Sequence, residues 1–327
     1  MSQLPDDAFE GVILAAGRGT RMQPFSERYP KPLLPILNKP LIQHQVEYLR
    51  ALGVHRVYIV IGHLGHEIAL SLGRGEALGV QIEYVEQRDA LGIAHALTQL
   101  ERRIERPFAL LLGDIYFETD RSINPLAAMR DRRAKGFLSV MEESDPRAIQ
   151  RNFSVSIDDD HRVRRVIEKP RFPNSRWKGC GVYAFDISFF DALRRTPRSA
   201  ARNEYELTDA IQTFIDDGAM VTAGAMMTRD INLTFPYDLL VANLSALRLM
   251  RAGNLVAPTA RVHPGAQLTN SIIGERVTIE QPIRLRHVLA FPDARIGIAE
   301  SIERAIVTPD DLVDCKYWVT SEGQPLR

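Results

Sequence analysis

Glycines and basic side chains are concentrated near the beginning of the chain, in the stretch Leu14–Pro24. Gly17 and Gly19 allow backbone N–H groups to approach an anion closely. Arg21 lies in the same stretch, and Lys31 follows shortly afterwards. Fixed positive charge beside a glycine turn is an arrangement that suits phosphate groups. The stretch therefore predicts a phosphate-binding loop.

Two common phosphate-binding motifs do not fit this loop. A dinucleotide-binding fingerprint needs a third glycine where Met22 stands, and Pro24 prevents an immediate helix. A Walker A motif needs Gly-Lys-Ser/Thr, which the loop lacks. A solvated basic turn is the remaining alternative. Thr20 and Arg21, combined with the following segment Pro30–Pro35 (Pro-Lys-Pro-Leu-Leu-Pro), favour phosphate binding over that alternative.

An aspartate in a suitable position for a metal ligand follows a predicted strand. Asp114 stands just after the apolar run Phe108–Leu112. A carboxylate at the carboxyl end of a strand, close to a phosphate loop, is suited to bind Mg²⁺. Capping of a helix N-terminus is the alternative role for an isolated aspartate. The phosphate loop favours the magnesium site.

Strands and helices alternate over the first part of the chain, which is the order of βαβ units. Short apolar runs predict four strands, at Gly11–Ala15, Arg56–Ile61, Gln81–Val85 and Phe108–Leu112. Apolar residues at helical spacing predict two helices, at Pro40–Leu52 and Leu91–Ile104. These units predict an α/β fold with a doubly wound, mostly parallel sheet. Such sheets bind ligands beyond the carboxyl ends of their strands.

The middle of the chain is richer in strands. Four more are predicted as an antiparallel extension of the sheet, at Phe137–Met141, Val155–Ile157, Val163–Ile167 and Gly181–Phe185. Helices at Ile187–Arg195 and Leu207–Asp216, a strand at Ala219–Ala225, and a helix from Pro236 to near Gly253 complete this part. The sheet is therefore expected to be mixed, although mostly parallel.

A different periodicity begins after Gly253. Val256, Val262 and Leu268 are six residues apart, and Ile296 roughly resumes the step. Hexads of small aliphatic residues are typical of a left-handed β-helix, and an ordinary small β-region is the alternative. We expect the β-helix.

Composition and charge exclude several classes of protein. The 327 residues contain 41 Lys and Arg and 41 Asp and Glu, so the basic excess of a nucleic-acid-binding protein is missing. The N-terminus resembles no signal peptide, and no apolar run is long enough to span a membrane. The two cysteines, Cys180 and Cys315, are far apart, which predicts reduced thiols in the cytoplasm.

The loop and the segment after it resemble the signature of the sugar-phosphate nucleotidyltransferases, G-x-G-T-R-x-x-P followed by P-K-P-L-x-P. The resemblance extends over most of residues 11–251. It implies an enzyme that joins a sugar 1-phosphate to a nucleoside triphosphate and releases pyrophosphate, with Mg²⁺ as cofactor. The implied catalytic residues are Arg21, Lys31, Asp114 and Lys169. The implied nucleotide-binding residues are Ala16, Gly17, Gly19, Thr20, Arg21, Gln87 and Gly92.

The same resemblance implies the metal ligands. Asp114 matches the aspartate that holds the metal in the family. Asn232 takes the place of the family's second aspartate, four residues before Pro236. Asp230 lies on the same face of a predicted strand and is the alternative second ligand.

The implied sugar-phosphate-binding residues lie in three matching segments. In the Glu-Lys-Pro motif, Lys169 would bind the phosphate of the sugar 1-phosphate and Glu168 a sugar hydroxyl. Gly181 begins the segment Gly-Val-Tyr, and Glu204 begins the segment Glu-Tyr-Glu-Leu-Thr-Asp.

Two features bear on the substrates. The amide of Gln87 can pair with the imide edge of uracil or thymine, which favours UTP or dTTP. The family commonly has a glycine against the sugar where this chain has Asn152-Phe-Ser-Val155. Phe153 or Ser154 would narrow that side of the pocket, which argues against glucose 1-phosphate.

Composition predicts a polar tail over residues 1–10, and the six-residue period predicts a short β-helix over 253–315, followed by a tail over 316–327. The resemblance implies a nucleotidyltransferase domain over 11–252. Two alternatives to this enzyme are a mannose-1-phosphate guanylyltransferase and an N-acetylhexosamine-1-phosphate uridylyltransferase. A third is a catalytically silent regulatory subunit that senses nucleotide sugars. An acyltransferase in the β-helix would have only His263 and His287 as candidate bases. Assembly of a homo-oligomer is the role expected for that region.

Overall fold

The structure is a computed structural model that describes residues 9–120, 122–200 and 202–320. The chain forms two compact units. The first comprises the residues up to Gly17 together with Gln45–Asp230, and the second comprises Arg18–His44 together with the residues from Ile231 onwards. Residues 1–8 of the predicted N-terminal tail and 321–327 of the predicted C-terminal tail lie outside the described residues. The domain boundaries drawn from the sequence stay a prediction.

A nine-stranded mixed sheet forms the centre of the first unit. Its strands are β1 (Glu10–Ala15), β2 (Arg56–Ile61), β3 (Gln81–Glu86), β4 (Phe108–Leu112), β5 (Gly136–Glu142), β6 (Phe153–Ile157), β7 (Val163–Glu168), β8 (Trp177–Phe185) and β9 (Val221–Gly224). Their spatial order is β7-β6-β8-β4-β1-β2-β3, and β5 pairs with β8 and β9. The pairs β1–β2, β1–β4, β2–β3 and β5–β9 are parallel. Strand β8 is antiparallel to β4, β5 and β6, which confirms the predicted mixed sheet.

The central strands are almost wholly apolar because both of their faces are covered. Every residue from Val57 to Val60 in β2 and from Phe108 to Leu111 in β4 is at most 2% exposed. Helical residues such as Leu97, Phe189 and Ile211 pack into the same hydrophobic core. The two covered faces give these strands continuous apolar runs instead of alternation.

The helices are α1 (Leu41–Ala51), α2 (Gly65–Leu72), α3 (Ile93–Thr98), α4 (Pro125–Asp131), α5 (Pro146–Gln150), α6 (Phe189–Arg195), α7 (Leu207–Asp216) and α8 (Pro236–Leu249). Four short 3₁₀ turns lie at Thr20–Met22, Phe25–Glu27, Lys31–Leu33 and Glu76–Leu78. Two small strand pairs join Pro35–Ile36 with Lys39–Pro40 and Ile115–Thr119 with Met227–Asn232. Among the helices of the described residues, none has the length and apolar character needed to cross a membrane.

Helix α3 is shorter than the apolar pattern predicted. Leu97, Leu100 and Ile104 are all buried, so the helical spacing of apolar residues continues to the predicted end. The backbone, however, tightens after Thr98 into turns, where Leu100 N–H donates to Leu97 O at 3.0 Å and Arg103 N–H to Leu100 O at 2.8 Å. Bonds over three residues keep the apolar side chains facing the core without extending the α-helix.

The second unit contains short strands that repeat at a constant interval. Their pairing is parallel except for the last strand, Leu312–Asp314, which is antiparallel to Ile302–Val307. The strands lie at Leu255–Val256, Arg261–Val262, Gln267–Thr269, Ile272–Ile273, Thr278–Ile279, Arg284–Ala290, Arg295–Ile296, Ile302–Val307 and Leu312–Asp314. The interval is shown by the pairs Leu255 with Ile272, Ile272 with Leu289, Arg261 with Thr278, and Thr278 with Arg295. Since this interval falls just short of three hexads, one step in each turn is shorter than the pattern predicted.

The corners between these strands use the same backbone conformation in successive repeats. Asn270, His287 and Arg304 follow one another at the same interval and have φ values of 47°, 53° and 50°. Non-glycine residues adopt this left-handed conformation only rarely, so its recurrence marks equivalent corners. His287 lies within the long strand Arg284–Ala290, which passes through its corner without a gap. The six-residue period of the sequence is therefore not kept through this strand.

Helix α8 holds the segment that follows Lys31. All residues from Leu239 to Leu247 are buried, so the helix is covered on every side. Asn243 is 0% exposed, and its Nδ2 donates to Pro35 O at 2.8 Å while its Oδ1 accepts from Leu37 N–H at 2.9 Å. A buried amide satisfied on both sides fixes the backbone that it bonds.

Candidate functional site

Several predicted site residues of the first unit follow strands that end at one edge of the sheet. Ala15 at the end of β1 pairs with Ile61 at the end of β2, and Ile61 pairs with Glu86 of β3. On the other side of β1, Leu14 pairs with Leu112 of β4. Ala16 and Gly17 follow β1, Gln87 follows β3, and Asp114 follows β4 after one intervening residue. These residues therefore lie at a single edge of the sheet.

The turn that carries Asp114 is held by a buried glutamine that the sequence analysis did not identify. Gln45 in α1 is 1% exposed, and its Nε2 donates to Leu112 O at 2.9 Å and to Ile115 O at 3.0 Å. These two carbonyl groups lie on either side of Asp114, which is half-buried. Local patterns do not distinguish Gln45 from Gln43, because the difference between them is burial.

If Asp114 binds magnesium as the sequence predicts, replacing Gln45 by methionine should raise the magnesium concentration needed for half-maximal activity about 10-fold, since groups that orient a metal ligand affect metal affinity on this scale. Methionine keeps the volume but leaves two buried carbonyl oxygens without their donor. Magnesium titration of activity measures the effect. Gln43→Met in the same helix is the control and should keep the wild-type magnesium requirement. A loss of stability with an unchanged magnesium requirement in Gln45→Met would show that Gln45 supports only the fold.

Gln87, the residue predicted to read the base, is oriented by a histidine. Gln87 N–H donates to Ile61 O at 2.8 Å, and its Nε2 lies 3.2 Å from His95 Nδ1. His95 in turn stacks on Tyr205, with ring centroids 6.1 Å apart. A bond from Nε2 to an unprotonated Nδ1 uses one donor of the amide, so its second N–H and its carbonyl oxygen remain for a base edge.

The fold itself requires a glycine at position 92. Its φ is 114°, and a Cβ at this position would lie 2.5 Å from Tyr205 O. The close approach is fixed by two backbone bonds, from Tyr205 N–H to Leu91 O at 2.8 Å and from Ala94 N–H to Tyr205 O at 3.0 Å. The family resemblance assigns this glycine to the nucleotide, whereas the backbone of Tyr205 gives an internal steric reason for it.

Charged side chains cluster around Glu168 at the end of β7. Lys169 Nζ lies 3.3 Å from Glu168 Oε1, and Arg202 Nη2 lies 3.5 Å from the same oxygen. Thr208 Oγ1 donates to Glu168 Oε2 at 3.3 Å. The sequence analysis predicted Glu168 and Lys169 but missed Arg202, although it lies beside the segment that begins at Glu204. The cluster places two cations where a sugar phosphate is expected to bind.

The second glutamate of the Glu-Tyr-Glu segment contacts this cluster. Glu206 is 5% exposed, and its Oε1 accepts from Arg202 Nη1 at 3.2 Å. Burial raises the pKa of Glu206 above its usual range, and the carboxylate of Glu168 raises it further. Glu204, the glutamate singled out from the sequence, is exposed, and its backbone O accepts from Ser199 N–H at 2.8 Å.

The side chains that were expected to narrow the sugar pocket are buried. Phe153 is 6% exposed, and its ring covers the place where a Cβ of Gly179 would lie. It also stacks on Tyr183, with centroids 6.4 Å apart, in the main hydrophobic core. Ser154 is 1% exposed. Because Phe153 packs into the core, its size gives little reason to disfavour glucose 1-phosphate.

A buried ion pair lies next to Gly181. Lys178 Nζ and Asp230 Oδ1 are 2.9 Å apart, and their side chains are 5% and 2% exposed. Asp230 Oδ2 also accepts from Gly181 N–H at 3.3 Å. The Ile115 side chain fills the place of a Cβ at Gly181, 2.3 Å from it. The charge of Asp230 is therefore neutralised inside the protein.

In the second unit, Gly19 and Lys31 lie against each other. Gly19 has a φ of 66°, and a Cβ there would lie 2.8 Å from Lys31 Cε and 2.9 Å from its Cγ. Lys31 is 9% exposed, so its aliphatic stem is packed along the glycine backbone. Such packing leaves few rotamers to the lysine and directs its ammonium group.

Thr20 and Arg21 form the short turn that follows Gly19. Met22 N–H donates to Gly19 O at 2.8 Å and its side chain is fully buried, which anchors the turn. Thr20 and Arg21 are exposed. The guanidinium carbon of Arg21 lies 5.9 Å from the centroid of the Phe235 ring.

Gly17→Ala should leave the fold intact but raise the KM for the nucleoside triphosphate about 10-fold or more. Gly17 has no positive φ, and a Cβ there would meet no described atom within 4 Å. Any penalty must therefore come from a ligand that approaches the backbone. Thermal unfolding together with steady-state kinetics tests this. Gly19→Ala is the contrast, because it should lower stability through its φ and its contact with Lys31. A KM unchanged in Gly17→Ala would exclude close approach of the triphosphate at that residue.

Asn232 lies at the turn that leads into α8. It ends the strand Met227–Asn232, and its backbone O accepts from Thr234 N–H at 2.8 Å. Asp238 then accepts from Thr234 N–H at 2.9 Å and from Phe235 N–H at 2.7 Å, which caps the start of α8. No three His, Cys, Asp or Glu side chains in the described part of the chain form a cluster that could hold a metal.

Comparison with known proteins gives a consistent result. Residues 10–231 match the profile of the family described as nucleotidyl transferase. The UTP–glucose-1-phosphate uridylyltransferase AglF of Haloferax volcanii is 33% identical over 70% of this chain and 93% of its own length. A glucose-1-phosphate thymidylyltransferase of Streptomyces griseus is 28% identical over 92% of this chain and 81% of its own.

Among solved structures, a Bacillus anthracis chain assigned as a glucose-1-phosphate thymidylyltransferase, in complex with sucrose, has a TM-score of 0.66. It is 27% identical, and the match covers 73% of this chain and 95% of that one. Family profile, relatives and fold agree with the strand-edge geometry described above. The chain belongs to the nucleotidyl transferase family.

Proposed function

We propose that the protein is a sugar-1-phosphate nucleotidyltransferase that condenses a hexose 1-phosphate with dTTP or UTP and releases pyrophosphate. The proposal is carried by the edge of the sheet where β1, β3 and β4 end, which bears the start of the phosphate loop, Gln87 and Asp114. Sheets of this kind bind ligands at this edge. Relatives named for uridylyl or thymidylyl transfer to glucose 1-phosphate support the same substrate classes.

A magnesium ion is part of the proposal, and the donor groups suit it. Asp114 offers a half-buried carboxylate whose turn is held by Gln45, and Asn232 offers an amide oxygen. Mg²⁺ prefers oxygen ligands and commonly takes one or two from protein and others from substrate phosphates. Asp230, the alternative to Asn232, already has Lys178 as its counter-ion. When bound, the ion would supply positive charge that neutralises the phosphate groups.

The proposed residues position the substrates and neutralise their phosphate charge, and the reaction needs no general base. A sugar 1-phosphate has a second pKa of about 6, so it is largely dianionic at neutral pH and can attack the α-phosphate directly. Lys169 would hold the incoming phosphate, and Lys31 the α-phosphate. Arg21 would stabilise the charge on the pentavalent phosphorus and on the leaving pyrophosphate. Attack in line predicts inversion of configuration at phosphorus.

The remaining predicted residues would bind the two substrates. Backbone groups of the phosphate loop (Ala16, Gly17, Gly19 and Thr20) would contact the triphosphate. Gln87 would pair with the imide edge of uracil or thymine, and Gly92 lies at the start of the helix beside it. On the sugar side, Glu168 would accept from a sugar hydroxyl, and Gly181 and Glu204 would contact the same substrate.

A matrix of sugar 1-phosphates against nucleoside triphosphates tests the proposal, with pyrophosphate release as the readout. Glucose 1-phosphate with dTTP or UTP should give the highest kcat/KM, and the products should be the matching sugar nucleotides. Asp114→Asn is the inactive control, since it removes a charge from the proposed metal site. The proposal fails if the wild-type protein releases no pyrophosphate with any pair in the presence of magnesium.

Two further parts of the proposal concern the cellular location of the protein and its oligomeric state. Cys180 and Cys315 are both free and buried, which agrees with a protein kept in the reducing cytoplasm. We also propose that the protein assembles as a homo-oligomer through its left-handed β-helix. Size-exclusion chromatography with light scattering tests the assembly.

A further inference from the structure

We infer that the C-terminal β-region braces the phosphate-loop segment and thereby positions Arg21. The C-terminal β-region is here residues 255–320, and the phosphate-loop segment is residues 18–44. Both lie within the second compact unit. The inference rests on the proposed function, because it concerns how residues assigned to the triphosphate are held.

The first contact joins the middle of the phosphate-loop segment to the core of the β-region. The ring of Phe25 stacks on Phe291 with centroids 5.4 Å apart, and Tyr29 meets the same ring edge-on at 5.6 Å. Phe25 and Phe291 are 2% and 1% exposed. Phe25 and Tyr29 lie between Arg21 and Lys31 in the sequence, so the stretch between the two proposed phosphate ligands is anchored on Phe291.

Two polar contacts lie on either side of Lys31 in the sequence. Arg28 forms an ion pair with Asp310, and Asn38 Nδ2 donates to Ile273 O at 2.9 Å. An exposed ion pair contributes little to stability by itself. Together with the aromatic contacts, these bonds connect the phosphate-loop segment to three separate parts of the β-region.

A row of aromatic rings connects Arg21 with the end of the β-region. The Arg21 guanidinium carbon lies 5.9 Å from the Phe235 centroid. Phe235 and Tyr237 stack with centroids 5.4 Å apart and an interplanar angle of 13°, and Tyr237 and Trp318 stack at 5.3 Å and 14°. Phe235 is 39% exposed and Trp318 55% exposed. Core packing does not account for half-exposed rings, whereas support of an arginine does.

The row explains how an exposed arginine is kept ready to bind. A free arginine side chain occupies many rotamers, and binding a triphosphate would have to order it. The face of Phe235 attracts the guanidinium, and the stack behind it holds Phe235 in place. Ordering Arg21 before the nucleotide arrives lowers the entropic cost of binding. Trp318 is then a positioning residue that acts through Tyr237 and Phe235.

Trp318→Ala, compared with Tyr317→Ala, tests the brace. Tyr317 is 84% exposed, and the ring stacks among the described residues include Trp318 but not Tyr317. In Trp318→Ala, the KM for the nucleoside triphosphate should rise about 3- to 10-fold, the range expected from one or two lost aromatic contacts. The KM for the sugar 1-phosphate should stay at the wild-type value, and Tyr317→Ala should match wild type for both substrates.

Hydrogen exchange of the protein without substrates gives a second, independent readout. Backbone amides of 20–22, 235 and 237–240 should exchange faster in Trp318→Ala than in Tyr317→Ala. Amides of 25–29 should exchange faster in Phe291→Leu, which removes the ring but keeps an apolar side chain. The brace is refuted if Trp318→Ala equals Tyr317→Ala in exchange and in nucleotide KM. If the wild-type protein forms no sugar nucleotide, the proposed function fails, and the exchange comparison alone decides the brace.

Discussion

Replacing Arg21 by alanine is expected to lower turnover about 100- to 1000-fold while the protein stays folded. Arg21 is exposed, so its removal leaves no cavity in the core. The loss is chemical, because a fixed guanidinium stabilises charge that develops only as the α-phosphate is attacked, and a mobile solvent cannot replace it without reorganising. Pyrophosphate release at saturating concentrations of both substrates measures the effect.

The neighbouring arginine provides a matched control for this experiment. Arg18 is also exposed and lies in the same loop, but it has no assigned contact with the reacting groups. Arg18→Ala should therefore retain most of the wild-type turnover, with a loss of nucleotide affinity that salt reduces. Circular dichroism should be unchanged in both variants. Wild-type turnover in Arg21→Ala would exclude this residue from the chemical step.

Replacing Lys178 by methionine should lower the free energy of unfolding by about 3–5 kcal/mol, the usual cost of leaving a buried charge without its partner. Lys178 and Asp230 are 5% and 2% exposed at their side chains, and 2.9 Å separates their charged atoms. Methionine fills most of the lysine volume, so the loss comes from the carboxylate that remains. Urea unfolding followed by circular dichroism measures it.

Two further variants separate the buried charge from other effects. Lys178→Met combined with Asp230→Asn should recover most of the loss, because the pocket then contains no charge. Arg195→Met breaks an ion pair with Asp217 whose side chains are 56% and 35% exposed, and it should cost far less stability than Lys178→Met. Equal losses in Lys178→Met and Arg195→Met would show that the buried pair contributes no more than a surface pair.

The contribution of the same ion pair to the free energy of unfolding depends on pH. Burial lowers the pKa of Lys178, but the adjacent Asp230 carboxylate, together with Cys180 and Glu143, raises it, so that the pKa lies above its usual value of 10.5. A group whose pKa is raised by folding contributes stability that is fully present below its unfolded pKa and is lost as the pH rises through its folded pKa. The difference between wild type and Lys178→Met should therefore be constant around neutral pH and shrink only under strongly alkaline conditions.

Local patterns were sufficient for most of the elements and for the class of chemistry. The strand at Arg56–Ile61 and the helix at Leu207–Asp216 have the bounds predicted from apolar spacing. The predicted C-terminal end of helix α3 is wrong, because buried residues at helical spacing are compatible with tight turns as well as with an α-helix. In the C-terminal region, the hexad pattern identified a repeat but not its length, because one step of each repeat is shortened.

Residues whose roles depend on neighbours in space needed the tertiary structure. Gln45 lies 67 residues before Leu112, which it bonds, and Lys178 lies 52 residues before Asp230. No spacing rule connects such residues, and burial of their polar groups becomes visible only after folding. Gly92 shows the same limit, since its requirement comes from the distant backbone of Tyr205.

The sequence by itself determined the alternation of strands and helices, the glycine and arginine loop, and the aspartate after the fourth strand. These features follow from propensity, periodicity and charge within short stretches, which a linear sequence contains in full. Only the tertiary structure decided that Asp230 is paired with Lys178, that Arg202 joins Glu168, and that Trp318 stands behind Arg21 in a row of rings. The physical reason is that these interactions act over a few ångströms between residues remote in the chain.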